Sequence, residues 1–118
     1  MAPLRDGLRE PRAIREACRS GAFAGQTAGL APGCVQTNLM ILPREAAAEF
    51  LAFCERNPVP CPLVEVLPAG ETEARCAPGS DLRTDLPGYR VFRDGRLERE
   101  ADDILDVWRE DLVSFLIG

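Results

Sequence analysis

Residues 80–88, SDLRTDLPG, set Asp81, Arg83 and Asp85 at alternate positions with Leu82 and Thr84 between them. An arginine fork grips a carboxylate through two parallel N–H···O bonds, a geometry that lysine cannot reproduce. Two acids beside such a fork can orient it. They can also serve as general acid and base if their surroundings drive their pKa values apart. Alternation with a period of two predicts a strand that presents all three charges on one face. The same spacing is met equally well by a structural Asp–Arg–Asp network on a solvated edge, and alternation alone does not separate the two.

A second polar grouping lies in QTAGLAPGCVQTN, where Thr27, Gln36 and Asn38 accompany a glycine-rich turn that leads into an apolar run. Successive backbone N–H groups in such a turn can cradle a carboxylate or phosphate. The alternative is a tight turn with neutral polar caps. There is no G-x-G-x-x-G fingerprint and no Walker lysine, so nucleotide binding has no support. A third candidate, Cys61, is held between Pro60 and Pro62. Nothing nearby in the sequence would depress its pKa, which favours a small structural hydrophobe over a nucleophile.

All 14 basic side chains are arginine, and the chain has no histidine. Without lysine there is no Schiff base, and without histidine no Ser-His or Cys-His nucleophile pair. Acid–base work therefore falls to Asp, Glu, Cys or Tyr89. The net charge of -5 comes without a basic stripe, which argues against nucleic acid as a partner. The 5 cysteines are odd in number and form no C-x-x-C, so neither a disulfide framework nor a zinc site is expected. No apolar run reaches the roughly 20 residues needed to span a bilayer, and the charged N-terminus is no secretory signal. The expected setting is cytoplasmic, with no membrane partner and no cofactor.

A chain of 118 residues with 46% apolar content can build one core. Residues 9–20 predict a helix, with Pro11 in its first turn and Gly21 as its stop. VQTNLMIL, 35–42, predicts a strand whose end, Leu39 to Leu42, is buried on both faces. PREAAAEFLAFCERN predicts a second helix that the prolines of NPVPCP terminate. LVEVL, 63–67, predicts a short buried strand, and 68–80 a long loop. YRVFRDGRLERE predicts a hairpin turning at Asp94-Gly95. DDILDVWREDLVSFLIG predicts a final helix with Ile104, Trp108, Leu112 and Phe115 along one side. The class is thus α/β or α+β, with helices packed on a short-stranded mixed sheet plus a β-hairpin. That last helix ends on an apolar run without a stop, as if the chain were cut.

GQTAGLAPGCVQTNLMILP, FLAFCERNPVPCPLVEV, DLRTDLPGYRVFRDG and DDILDVWREDLVSFLIG together, in this order, closely resemble the putative hydro-lyase family related to D-glutamate cyclase. The resemblance covers almost the whole chain. It implies a cyclising dehydration in which the amine of D-glutamate attacks its own side-chain carboxyl group, giving 5-oxo-D-proline and water. It further implies that Arg83 clamps a carboxylate, that Asp81 or Asp85 is the acid or base, and that the other aspartate orients Arg83. Gln36 and Asn38, with the Ala31-Pro32-Gly33 turn and Thr27, would hold the second carboxyl group. Family members continue past Ile117-Gly118 with a Cys-Ser-Phe-Ser-Phe-Glu segment. The chain is therefore expected to be the N-terminal portion of a larger two-subdomain fold, partnered by its missing half or by a second copy, with apolar surface exposed on its last helix. The competing expectation is a non-catalytic carboxylate-binding remnant, or one half of a split enzyme.

Overall fold

The computed structural model describes residues 10–23, 34 and 36–118. It is an α+β fold in two compact units, one formed by Met1–Cys34 with Ser80–Val107, the other by Val35–Gly79 with Trp108–Gly118. The expected Thr27 contact lies outside the described residues.

In the second unit the chain runs from strand β1 (Asn38–Pro43) directly into helix α2 (Arg44–Arg56). Pro43 ends the strand and caps the helix, where its missing N–H costs nothing. Helix α2 stops at Asn57, whose side-chain amide donates to the Phe53 carbonyl at 2.8 Å. Strand β2 (Leu63–Leu67) then joins a three-stranded antiparallel sheet in the order β1, Leu112–Ile117, β2. The helix expected over 102–118 does not form: residues 105–107 and 110–111 are turns, and 112–117 are the central strand. Their backbone pairs with Asn38–Pro43 on one side and with Leu63–Leu67 on the other. A run of Val, Phe, Leu and Ile suits a strand covered on both faces, and Val113 through Leu116 are all buried. The apolar surface expected to lie open on a last helix is thus the best-covered part of the sheet. Conversely, β1 is an edge strand rather than one buried on both faces, and Met40 is 42% exposed.

Helix α2 covers one face of this sheet, where Phe50 meets Phe115 edge-to-face at 4.9 Å between centroids. Ser114 alternates to the opposite face beside Leu67, and its hydroxyl is the one buried side-chain polar atom without a hydrogen-bond partner among the described residues. Val64 is the extra residue of a bulge between Leu63 and Glu65, which turns it outward. The loop after β2 is fastened at Gly70, whose N–H donates to the Leu112 carbonyl at 3.0 Å. Gly70 has φ +82, and a Cβ there would lie 2.7 Å from a Glu110 carboxylate oxygen and 3.0 Å from the Glu110 carbonyl. Gly70→Ala should therefore destabilise by about 1–3 kcal/mol, read as a lower urea midpoint at unchanged m-value.

In the first unit, helix α1 (Pro11–Ser20) starts on Pro11 and closes on left-handed Gly21, whose N–H donates to the Cys18 carbonyl. Ile14 and Cys18 are buried with Ala13, Ala17 and Phe23 packed against them. Strands β3 (Tyr89–Arg93) and β4 (Arg96–Ala101) form the hairpin, and Leu112–Ile117 is β5. Asp94 at φ 53 and Gly95 at φ 75 supply the two left-handed residues of the expected turn.

Candidate carboxylate-binding site

Residues 80–86 are not a strand. The Thr84 and Asp85 N–H groups both donate back to the Asp81 carbonyl, at 3.1 and 2.9 Å, which winds the segment into a helical turn. The acids cause this themselves: the Arg83 N–H donates to Asp81 Oδ1 at 3.0 Å, and the Asp81 N–H to Asp85 Oδ2 at 2.9 Å. Short acidic side chains that capture nearby backbone donors compete with a ladder and favour turns. Two further anchors hold the turn. The buried Tyr89 hydroxyl donates to the Leu82 carbonyl at 2.7 Å, and the Ile104 N–H to the Arg83 carbonyl at 3.0 Å.

The turn brings Asp81, Arg83 and Asp85 together, in two arginine pairs rather than one shared cluster. Arg83 Nε and Nη2 donate to the two oxygens of Asp81, each at 2.9 Å. Both side chains remain partly open, at 31% and 27% exposure. Asp85 is 1% exposed and receives Arg19 from helix α1, with Nε and Nη2 donating to Oδ1 and Oδ2, both at 2.7 Å. The Thr84 hydroxyl adds a bond to Asp85 Oδ1 at 2.8 Å. With the Asp81 N–H this gives Asp85 a donor for each of its lone-pair directions.

These contacts set the protonation states. Arg83's hydrogen bonds hold the Asp81 carboxyl below its usual range against the opposing effect of burial. Burial pushes Asp85 upward, but the bonds from Arg19, the Asp81 N–H and Thr84 outweigh it, and its pKa is lowered. Both acids are therefore ionised near neutrality. Of the two, Asp81 is the one that orients Arg83, while Asp85 binds the turn to helix α1.

Gln36 and Asn38 are exposed and belong to the other unit, Asn38 opening β1. Sequence reasoning missed Arg19, whose signal was its place in the last turn of an amphipathic helix. It also missed Glu65, the single charge inside LVEVL. That carboxylate, 8% exposed, accepts the Arg75 and Cys76 N–H groups at 2.8 and 2.9 Å and ties the long loop to β2. Burial raises the Glu65 pKa, and those backbone bonds more than reverse it. No three metal-ligating side chains gather among the described residues, and no described helix is long and apolar enough to cross a membrane.

No family model matches the chain. Several curated proteins do match it. It is 55% identical over 109 residues to a "Putative hydro-lyase" of Stutzerimonas stutzeri, covering 92% of this chain and 41% of that protein. It is 59% identical over 105 residues to one of Rubrobacter xylanophilus, covering 88% and 40%. A third, of Xanthobacter autotrophicus, is 51% identical over 109 residues, covering 92% and 40%. The chain thus spans about two fifths of the length of these curated relatives, and along that span it is similar to proteins named putative hydro-lyase.

Proposed function

We propose that the chain is the N-terminal, carboxylate-clamping portion of a cytoplasmic hydro-lyase of the D-glutamate cyclase type. The reaction closes D-glutamate on itself. The neutral amine attacks the side-chain carboxyl carbon, the N–C bond forms, and one carboxyl oxygen departs as water to leave 5-oxo-D-proline. The observation that carries this reading is the partly exposed Arg83 fork, held in plane by two 2.9 Å bonds to Asp81. A pre-oriented guanidinium binds a carboxylate without first losing its own rotamer freedom. The relatives' printed names support the reaction class.

Asp81 is the acid–base candidate. A carboxylate tied to Arg83 is a weak base, but a substrate carboxylate sharing the guanidinium would weaken that tie without breaking it and raise the Asp81 pKa toward its ordinary value. Asp85, saturated and buried, acts as the positioning residue that keeps the turn in place.

The test is incubation of the chain with D-glutamate, with chromatography for 5-oxoproline and calorimetric titration run in parallel. Product formation supports the enzyme. Binding without product supports a carboxylate-binding module. Neither binding nor product overturns the proposal.

A further inference from the structure

Arg19 and Arg83 repeat one geometry within a single hydrogen-bonded network. Each donates from Nε and Nη2, the side-on edge of its guanidinium, to both oxygens of one aspartate. Arg19 meets Asp85 with both bonds at 2.7 Å, and Arg83 meets Asp81 with both at 2.9 Å. The two pairs are joined, because Asp85 Oδ2 receives the Asp81 N–H at 2.9 Å as well as Arg19 Nη2. A planar guanidinium carries five N–H donors, and a side-on carboxylate takes two of them. Its end-on edge, formed by Nη1 and Nη2, points away from that carboxylate. Both arginines stay partly exposed despite their aspartates, Arg19 at 46% and Arg83 at 31%.

We propose that Arg19 and Arg83 form a two-armed clamp for a short dicarboxylate, one carboxylate on each arginine, with Asp85 and Asp81 behind them fixing the two planes. This rests on the reading of Arg83 as a carboxylate anchor and names the group that meets the other end of the substrate. Gln36 and Asn38, expected from the resemblance to hold the second carboxyl group, belong to the other unit, whereas Arg19 and Arg83 share one unit and one network. A guanidinium also suits the task better than an amide, since charge-assisted hydrogen bonds are about twice as strong as neutral ones. Hydrogen bonding and charge from Asp85, with Asp81 adding to them, raise the Arg19 pKa, so the arm stays charged. Each arm is already oriented, which spares the ligand most of the cost of ordering a long side chain. The arms are joined through consecutive hydrogen bonds of one turn, so a short dicarboxylate reaches both and a monocarboxylate satisfies one.

The probes are glutarate and its monoamide, glutaramate, which match in length and differ by one charge. Calorimetric titration of the whole chain at constant ionic strength should find glutarate at least about 10-fold tighter. Arg19→Lys keeps a cation beside Asp85 but removes the fork. It should weaken glutarate about 10-fold, and glutaramate by no more than the roughly twofold loss of one of its two orientations. Arg83→Lys, which leaves Arg19 and Asp85 in place, should erase the same preference. Equal affinity for the two probes in the unmutated chain, no binding of either, or a glutarate preference unchanged by Arg19→Lys overturns the clamp. D-Glutamate assayed alongside separates this from the cyclisation. Product without a glutarate preference removes Arg19 and leaves the cyclase reading standing. A preference that Arg19→Lys erases, without product from D-glutamate, supports the clamp and removes cyclisation by this chain.

Discussion

Asp85→Asn should lower stability by about 3 kcal/mol, toward the low end for breaking a buried ion pair. The side chain is 1% exposed and its oxygens take four donors, two from Arg19 and one each from the Asp81 N–H and Thr84. An amide has one acceptor atom, so its NH2 group must face a donor whichever way it is turned. The discount from the usual penalty comes from Arg19, which is 46% exposed and recovers part of its hydration when released. Arg19→Ala should cost less, because removing the arginine admits water to a carboxylate that keeps two donors. Urea unfolding of both variants and the double variant measures the coupling. A loss below about 1 kcal/mol for Asp85→Asn would place the pair with ordinary surface bridges. The sign of the pH effect follows from the lowered pKa. With its folded pKa below the ordinary aspartate value, Asp85 contributes stability that is fully present above the unfolded pKa. That contribution is lost as pH falls from about 5 through the folded pKa, and Asp85→Asn should flatten the acid limb of the stability curve. Asp81 has the same sign, so the flattening is partial.

The contrast between Asp85 and its neighbours shows how the sequence could be read and where it misled. Elements fixed by local chemistry were legible: LVEVL is a strand to the residue, Asp94-Gly95 is the hairpin turn, and Gly21 stops α1. Residues 112–117 were not, because Ile104, Trp108, Leu112 and Phe115 fall at helical spacing while the run is also short and apolar. Periodicity alone cannot decide such a case. What decides it is the pair of edges that β1 and β2 offer on either side, a tertiary fact. The alternation at 81–85 failed for the opposite reason. Its rhythm was real, but aspartates at the start of a turn bind backbone donors, and that local competition overrode the strand pattern. The candidate site was therefore legible as a set of residue types but not as a pairing. The partner of Asp85 lies 66 residues away in α1, and no spacing rule reaches that far.

Arg83→Lys is the substitution that bears most directly on the proposed chemistry. Where D-glutamate is bound or turned over, it should reduce kcat/KM, or the binding constant, by about 100-fold, equivalent to about 2.7 kcal/mol. Lysine keeps the positive charge, so long-range attraction for an anionic substrate survives. What disappears is the plane: the two 2.9 Å bonds to Asp81 and the fork they orient. Asp81→Asn separates the two contributions, since it leaves the arginine intact but removes its ionic anchor, and should cost about 10-fold if orientation is its only role. A larger fall in kcat than in binding for Asp81→Asn would instead assign it the proton transfer. Neither change should disturb Asp85 and Arg19, which keep the turn attached to α1, so the urea midpoints of both variants should move by less than that of Asp85→Asn. Binding and turnover that are untouched by Arg83→Lys would remove Arg83 from the site and return the Asp81–Arg83 pair to a structural role. The charge then has to be sought elsewhere, because a partly exposed guanidinium pre-oriented by a carboxylate is useful to a substrate only if the substrate meets its plane.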